Sequence, residues 1–388
     1  MLRLIARVAL VLTALMIVKG CASMPDSKMP LHQSAEYYNY IQRDFESYIE
    51  VSRAWLSHNR SFISQNKQKE INMNAPFMLM PNEPTQKAVL LVHGLGDSPY
   101  SFSDIAKSLH GEGYAVHVLL LPGHGSKPSD LMLSHYEDWQ DIVDHYALQL
   151  KKQYNKVLLG GFSTGANLVT INAIEQGGVD GLLLFSPGFE TFSPFVERLA
   201  PIFATFMDWG WKAEEDNLAR YRSSPINASI AYSESAQYVR DLFESKQTNV
   251  PTLIVMSEAD SVINPHAIKG YFDSNFTHAS NRFIWYGESI IEDDKIITKS
   301  MKLPELRISS GSHMSPLFAP DNPYYGKKGE KRMCGNSFNP SNTRRCEEGE
   351  SVWFSAWGYS EEDKLFARLT WNPYYSKMEQ ALRLFLRN

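Results

Sequence analysis

The pentapeptide Gly161–Gly165, which reads Gly-Phe-Ser-Thr-Gly, combines residue types that could perform nucleophilic chemistry. It follows the apolar run Val157–Leu159, which predicts a buried strand, and precedes Ala166–Val169, which predicts the start of a helix. A Gly-x-Ser-x-Gly turn between strand and helix raises a serine hydroxyl on a sharp corner, where glycines let the two elements approach. The helix N-terminus directs free N–H groups at what the serine attacks, so Ser163 is the predicted nucleophile.

A serine nucleophile needs a base within hydrogen-bonding distance, and that base needs a third group to orient it. Among eleven histidines, His313 is the predicted base, because it lies in a loop just past the predicted strand Leu306–Ser309. His266 begins a predicted helix, His117 lies inside a predicted strand and His145 inside a predicted helix. Histidines in such places more often pack or face solvent than act as bases.

Two carboxylates follow the predicted strand Leu253–Met256 and could orient the base. Asp260 lies four residues past the strand, with Val262 and Ile263 after it to bury the loop. Glu258 is the competing candidate, since its side chain has the same chemistry.

Two backbone N–H groups must stabilise the oxyanion that forms during acyl transfer. Thr164, the residue after the nucleophile, is predicted to supply one of them. The second is predicted at Leu95, in the loop that follows the early strand pattern of Leu91-Val92-His93-Gly94-Leu95-Gly96. His93 is expected to brace that loop rather than to take part in the chemistry.

These candidates must be positioned by the elements of residues 75–388, where short apolar strands alternate with amphipathic helices. The predicted strands are Phe77–Met80, Ala88–Val92, Ala115–Leu121, Val157–Leu159, Leu182–Phe185, Leu253–Met256 and Leu306–Ser309, and the predicted helices cover 101–111, 136–153, 166–176 and 265–272. Most of the strands are continuous apolar runs, which is typical of strands buried on both faces of a parallel sheet. The fold class is therefore α/β, with a doubly wound and mostly parallel sheet.

Two stretches interrupt the alternation. Residues 187–250 are helical in pattern and are predicted to form a lid over the active site; their aromatic residues are Phe189, Phe192, Phe195, Phe203, Phe206, Trp209 and Trp211. These aromatics could contact an apolar acyl group or simply pack the lid. Residues 317–358 are rich in Pro, Gly and Asn and are predicted to be an insertion before a last helix at 374–386.

The segment that precedes the alternating region is expected to be a helical extension of residues 34–74. Apolar residues recur at helical spacing across 34–60, which forms one apolar stripe. This stripe is expected to pack against the catalytic domain, with a helix lying on a membrane as the alternative.

The first twenty residues have the pattern of a signal peptide. Arg3 and Arg7 form a positive n-region, and Val8–Val18 is an apolar stretch too short to span a bilayer. Its end, Val18–Cys21, resembles the bacterial lipoprotein cleavage box, in which the cysteine is lipidated, although Lys19 departs from that pattern. An uncleaved anchor and an ordinary secretory signal are the alternatives.

The resemblance implies lipidation of Cys21, a polar tether over 21–33 and a lipid-anchored protein of the bacterial envelope. We expect the outer membrane, with the enzyme facing the periplasm or the cell surface. Cys334 and Cys346 then remain as an even pair. In an exported protein they are predicted to form a disulfide rather than to stay as two free thiols. Such a loop contributes about 3 kcal/mol of stability.

Composition narrows the classes of partner and cofactor. The formal net charge of −5 gives no electrostatic reason to expect nucleic acid as a partner. The sequence contains no phosphate-binding loop and no cluster of metal-ligand spacing, so no cofactor and no metal ion is predicted. Oligomeric state has no signal in the sequence.

Taken together, these motifs resemble the α/β-hydrolase superfamily, and within it monoacylglycerol lipases, small bacterial carboxylesterases and serine-aminopeptidase-like hydrolases. The matching stretches are Leu91–Ser98, Leu121–Gly125, Trp139–Ile142, Gly161–Gly165, Glu258–Val262 and Gly311–His313, in family order. The resemblance implies Asp260 rather than Glu258 as the acid, and a catalytic triad of Ser163, His313 and Asp260. The N-terminal extension and the segment after His313 depart from the common pattern.

The resemblance also implies a hydrolase of acyl esters, for which monoacylglycerols or lysophospholipids are the expected substrates of a membrane-tethered enzyme. A peptidase, thioesterase or acyltransferase could use the same triad. An aminopeptidase would need an acidic group to hold the substrate amine, and the run Glu214–Asp216 could supply it, although such runs are usually solvated. A non-catalytic envelope lipoprotein is the third alternative.

Overall fold

The computed structural model describes residues 33–34, 36–193, 200–336 and 339–387. Its strands, in chain order, are β1 Phe77–Leu79, β2 Lys87–Val92, β3 Ala115–Leu119, β4 Lys156–Phe162, β5 Gly181–Phe185, β6 Trp209–Trp211, β7 Ser224–Pro225, β8 Thr252–Ser257, β9 Arg282–Tyr286, β10 Ile296–Lys299, β11 Trp353–Ser355 and β12 Phe366–Arg368. Eight of them form one sheet in the order β1-β3-β2-β4-β5-β8-β9-β10, while β6 pairs with β7 and β11 with β12.

The eight-stranded sheet is parallel except for β1, which runs antiparallel to β3. Side chains of β2 alternate between two separate apolar cores: Leu90 and Val92 belong to one, and Val89 and Leu91 to the other. Both faces of the sheet are therefore covered, which explains why the strands read as continuous apolar runs. The prediction of a doubly wound, mostly parallel sheet is confirmed.

The helices are α1 Phe45–Asn59, α2 Lys67–Asn74, α3 Ser103–Gly111, α4 Tyr136–Gln153, α5 Thr164–Glu175, α6 Ala200–Ala204, α7 Ile226–Ser245, α8 Pro265–Asn275, α9 Pro340–Glu347 and α10 Tyr375–Leu386. Helix α5 is buried over most of its length, since it packs under the sheet directly behind Ser163. Side chains of α4 and α5 belong to one core, whereas α3 and α10 belong to the other. Among the described residues, none of the helices has the length and hydrophobicity needed to cross a bilayer.

One predicted strand is wrong. Residues 306–309 do not join the sheet: Pro304–Leu306 is a single 3₁₀ turn, and Ile308 makes only isolated bridges to Leu303 and Phe354. The sheet is completed instead by β9 and β10, which were not predicted. The apolar run Phe283-Ile284-Trp285-Tyr286 within β9 was the available signal.

The N-terminal extension contains two helices, α1 and α2, but the helical spacing expected from about residue 34 does not form a helix before Phe45. Helix α1 begins only at Phe45, because Asp44 caps it by accepting a hydrogen bond from the Ser47 N–H at 2.8 Å. The preceding residues are irregular but docked, since the Tyr38 hydroxyl donates to the Leu120 carbonyl at 2.9 Å. The predicted signal peptide, Cys21 and nearly all of the predicted tether lie outside the described residues.

A buried ion pair joins this extension to the rest of the domain. Arg60 Nε donates to Glu70 Oε2 at 2.8 Å, and both side chains are almost completely buried. The other guanidinium nitrogens donate to the carbonyls of Gly125 and Leu218. Glu70 also accepts hydrogen bonds from the Ile63 and Ser64 N–H groups. Since every polar group has a partner, removing either side chain would leave an uncompensated buried charge.

The predicted lid, residues 187–250, comprises the β6–β7 pair, α6 and the long helix α7. Its aromatics divide into two sets: Phe189 is buried against Phe243 and Phe276, whereas Phe206 and Trp211 are exposed. Phe195 lies outside the described residues. The predicted disulfide between Cys334 and Cys346 is present in the insertion, where both cysteines pack with Val352, Leu365 and Ala367.

Candidate active site

Ser163 lies on the corner between β4 and α5, in a backbone conformation that non-glycine residues rarely adopt. Its φ is 53° and its ψ is −116°. The two flanking positions must be glycine, because a side chain at either would clash with the backbone. A Cβ at Gly165 would lie 2.0 Å from the Val92 carbonyl oxygen, and one at Gly161 would lie 2.4 Å from the Ala166 nitrogen. Such strain persists only where the surrounding structure enforces it, and it holds the Ser163 hydroxyl at the end of the strand.

The structure brings Asp260 and His313 together. His313 Nδ1 is 2.6 Å from Asp260 Oδ2, and both side chains are buried. Asp260 Oδ1 accepts hydrogen bonds from the N–H groups of Val262 and Ile263, at 2.8 and 3.0 Å, which fix the carboxylate. Because an ionised carboxylate only accepts, Nδ1 carries the proton and Nε2 is left as the basic nitrogen.

The loop that carries His313 is held beside the nucleophile. The Ser186 hydroxyl, just past β5, donates to the His313 carbonyl at 2.9 Å. The His313 ring lies 4.9 Å, centroid to centroid, from the ring of Phe162, which directly precedes Ser163. Among the described residues no hydrogen bond joins Ser163 to the imidazole; in enzymes without substrate such contacts are often long and shorten in the complex.

Glu258, the competing acid, points elsewhere. Its carboxylate accepts hydrogen bonds from the N–H and the hydroxyl of Ser289 and from the N–H of Glu288. Burial tends to raise the pKa of Glu258, but these hydrogen bonds outweigh it and lower the pKa. Two of the other candidate histidines pack against aromatic rings outside the proposed triad: His117 packs on Phe45 in the core, and His266 packs on Trp285.

The predicted oxyanion-hole residues flank the nucleophile. Thr164 is the first residue of α5, where N–H groups have no partner within the helix. Leu95 lies in the loop after β2, and this loop touches the corner: a Cβ at Gly94 would lie 3.1 Å from Ser163 Cβ. In the described part of the chain, neither the Leu95 N–H nor the Thr164 N–H donates a hydrogen bond.

Two buried neutral histidines brace the Leu95 loop. His93 Nε2 accepts from the Leu121 N–H at 3.0 Å, and its Nδ1 lies 2.8 Å from the Gly94 carbonyl. His124 Nε2 accepts from the Gly96 N–H at 3.0 Å, and its Nδ1 lies 3.1 Å from the Pro122 carbonyl. Each ring thus accepts at Nε2 and donates at Nδ1, which only the neutral form can do. Burial lowers the pKa of His93 well below its ordinary value and that of His124 to about 4.

We expect replacement of His124 by glutamine to weaken the acid sensitivity of the fold. Glutamine can accept from Gly96 and donate to Pro122, but it does not titrate. Between about pH 6.5 and about pH 4 the unfolded wild type binds a proton at this ring that the folded protein does not, so stability falls as the pH falls.

The measurement is urea unfolding of both proteins between about pH 7 and about pH 4.5. The slope of the unfolding free energy against pH should be smaller in His124→Gln by up to about 1.4 kcal/mol per pH unit, the value for one proton. Identical slopes would contradict a neutral His124 in the folded protein.

A charged cluster beside the site was missed by the sequence analysis. Asp97, in the loop after β2, is buried, and its Oδ1 lies 3.5 Å from Arg220 Nη1, which the predicted lid contributes. Burial raises the pKa of Asp97, while the charges of Arg220, His313 and Arg368 act to lower it. Asp97 stood within the family-like stretch Leu91–Ser98, but nothing in the sequence links it to two distant arginines.

The acidic run Glu214–Asp216 is engaged within the protein. The Glu215 carboxylate accepts hydrogen bonds from the Arg222 and Ser223 N–H groups, both at 2.8 Å. Asp216 pairs with Arg222 and with Lys331. Within the described residues, no group of three or more His, Cys, Asp or Glu side chains is placed to hold a metal ion.

Comparison with known proteins agrees with this architecture. The family described as serine aminopeptidase, S33, matches residues 83–288, just over half of the chain. A thermostable monoacylglycerol lipase from Bacillus sp. (strain H-257) is 24% identical over 188 residues, which cover 46% of this chain and 72% of the lipase. A carboxylesterase from Bacillus subtilis (strain 168) is 23% identical over 227 residues, covering 52% and 83% of the two chains.

Among solved structures, the monoacylglycerol lipase of Paleococcus ferrophilus is 20% identical, with a TM-score of 0.46 over 57% of this chain and 92% of the lipase. The family match and the sheet, rather than that superposition, decide the membership. By its family match and its mostly parallel eight-stranded sheet, the chain belongs to the serine aminopeptidase S33 family of α/β-hydrolases.

Proposed function

We propose that this protein is a serine carboxylic-ester hydrolase that acts on small acyl esters through Ser163, His313 and Asp260. The observation that carries the proposal is the hydrogen-bonded pair of Asp260 and His313, built beside a serine held in a strained strand-to-helix corner. The similarity to a monoacylglycerol lipase and to a carboxylesterase supports the ester-hydrolase class. The pairing of a carboxylate with a histidine near a serine at the start of a helix supports the nucleophile, base and acid roles that such a reaction needs.

The chemical steps follow from the positions of these groups. His313 Nε2 accepts the proton of the Ser163 hydroxyl as its oxygen attacks the ester carbonyl, and Asp260 stabilises the imidazolium. The N–H groups of Leu95 and Thr164 donate to the oxyanion. Collapse of the tetrahedral intermediate releases the alcohol, which takes the proton from His313. Water, deprotonated by the same imidazole, then cleaves the acyl-enzyme to the carboxylic acid and free Ser163.

The surroundings of the acidic run favour esters over peptides with a free amine. An aminopeptidase would need a carboxylate available to hold the substrate ammonium group. Glu215 and Asp216 are instead occupied by hydrogen bonds and ion pairs within the protein. Arg220 also places a positive charge near the loop of His313, which opposes an ammonium group there.

We further propose an envelope location with a lipid anchor at Cys21, and substrates derived from lipids, such as monoacylglycerols or lysophospholipids. The disulfide between Cys334 and Cys346 supports an oxidising compartment. Large apolar side chains of the predicted lid are exposed, with Phe206 at 83% and Trp211 at 56%, which suits contact with acyl chains.

The test combines labelling with hydrolysis. The purified protein is expected to react with a fluorophosphonate probe and to release acid from p-nitrophenyl esters, monoacylglycerols or lysophospholipids. Replacing an exposed serine, Ser57→Ala on α1, should change neither readout. A folded protein that failed to label would be a binding protein rather than an enzyme. Labelling with cleavage of thioesters or peptides but not of oxygen esters would support the alternative hydrolase classes.

A further inference from the structure

Two arginines from distant parts of the chain belong to segments that contact the loop of His313. Arg220 Nη1 lies 3.2 Å from the sulfur of Met314, the residue that follows His313. Arg368 ends β12, and its neighbour Leu369 accepts a hydrogen bond from the hydroxyl of Ser312, which precedes His313. Arg220 therefore lies beside the loop of the proposed base, and the segment that carries Arg368 contacts the residue before that base. The Arg368 guanidinium carbon lies 5.5 Å from the centre of the Trp357 ring.

Both arginines interact electrostatically with the same carboxylate. Asp97 is the carboxylate that acts on both Arg220 and Arg368, and it lies 3.5 Å from the former. Two other carboxylates named above have partners of their own: Asp260 is hydrogen-bonded to His313, and Asp216 pairs with Arg222 and Lys331. Two cations thus share one carboxylate in a largely buried place. Burial, and next the charge of Arg220, lower the pKa of Arg368 to about 9.

Two buried hydrogen-bond donors near these arginines lack an acceptor among the described residues. Arg368 Nε is buried and has no hydrogen-bond partner among the described residues. The same holds for Asn217 Nδ2, although Asn217 Oδ1 accepts from the Tyr325 hydroxyl at 2.7 Å. Tyr325 is tied to the segment that follows β12, because the Thr370 hydroxyl donates to the Tyr325 carbonyl at 2.6 Å. Burial raises the pKa of Tyr325, the charge of Asp97 raises it further and that of Arg220 lowers it. Buried donors without partners cost free energy unless a ligand completes them.

We propose that Arg220, Arg368 and Asn217 form a subsite for an anionic group of the substrate, a carboxylate or a phosphate, next to the scissile ester. The guanidinium fork matches the geometry of either anion, and a buried Nε–H with a neighbouring amide supplies directed donors. The subsite rests on the proposed ester hydrolysis and deepens it: the preferred substrate is an ester of which one part carries a negative charge.

Matched pairs of esters test the subsite. One pair is the p-nitrophenyl monoester of adipic acid and p-nitrophenyl hexanoate, which differ by a terminal carboxylate. The other pair is 1-lauroylglycerol 3-phosphate and 1-lauroylglycerol, which differ by a phosphate. The readout is the ratio of kcat/KM for the anionic and the neutral member, measured for the wild type, for Arg368→Gln and for Arg222→Gln as a paired control.

The wild type should prefer the anionic member of at least one pair by about tenfold or more, and the pair that shows it identifies the anion. Arg368→Gln should bring that ratio close to one with little change for the neutral ester, whereas Arg222→Gln, whose guanidinium pairs with Asp216, should keep most of it. Equal rates for both members of both pairs in the wild type would overturn the subsite, and this result does not depend on the variant folding. Hydrolysis of none of the four esters would instead contradict the proposed function.

Discussion

Replacing Ser163 with alanine is expected to lower kcat for ester hydrolysis by a factor on the order of 10⁴ or more and to abolish labelling by a fluorophosphonate. The hydroxyl is the atom that forms the acyl-enzyme, so its removal eliminates the covalent route. The variant should fold normally, because alanine leaves the flanking glycines and the corner intact. Steady-state hydrolysis of p-nitrophenyl esters and gel-based labelling measure the two effects.

The Ser57→Ala protein, altered on the exposed face of α1, is the matched control for loss of a hydroxyl. It should label and hydrolyse like the wild type. If Ser163→Ala retained wild-type activity, another residue would be the nucleophile, and the site described around β4 and α5 would have to be abandoned.

Replacing Asp260 with asparagine is expected to lower kcat by a factor of about 10³ to 10⁴ with little effect on folding. The amide oxygen of the new side chain can still accept from the Val262 and Ile263 N–H groups that hold the loop. The amide nitrogen would donate to His313 Nδ1, however, which forces the proton onto Nε2. The imidazole then presents a proton to Ser163 rather than a lone pair, and base catalysis is lost.

Glu258→Gln provides the comparison for Asp260→Asn, since both changes replace a carboxylate in the same loop after β8 by its amide. The Glu258 carboxylate is occupied by Ser289 and Glu288, so its replacement should affect stability more than kcat. Circular dichroism and thermal unfolding separate the two effects. A large loss of kcat in Glu258→Gln, with Asp260→Asn active, would exchange the two roles.

Local patterns predicted the elements that carry the site. The strand before Ser163, the helix after it and α4 (136–153) followed from apolar runs and helical spacing, because these elements are continuous and fully packed. The prediction of a strand at residues 306–309 failed for a physical reason. Pro304 begins a turn immediately before them, and Ile308 pairs with Phe354 of the insertion instead of with the sheet. A short apolar segment has the same sequence pattern whether it joins the central sheet or packs against a loop.

The charged cluster was beyond sequence reasoning for a different reason. Asp97, Arg220 and Arg368 come from the loop after β2, the predicted lid and the last strand, and only the folded chain brings them together. The family match ends at residue 288, so it covers Ser163 and Asp260 but neither His313 nor Arg368. The proposed base and one residue of the proposed subsite therefore lie outside the part of the chain that the family match covers.

The ion pair of Arg60 with Glu70 has a consequence for the smallest part of the chain that can fold. Arg60 supplies donors to the carbonyls of Gly125 and Leu218, and the latter also accepts from Asn74 Nδ2. A protein trimmed to the family boundary at residue 83 would lose all of these donors and would leave the two carbonyls without them. We therefore expect the N-terminal extension to unfold together with the catalytic domain rather than independently of it.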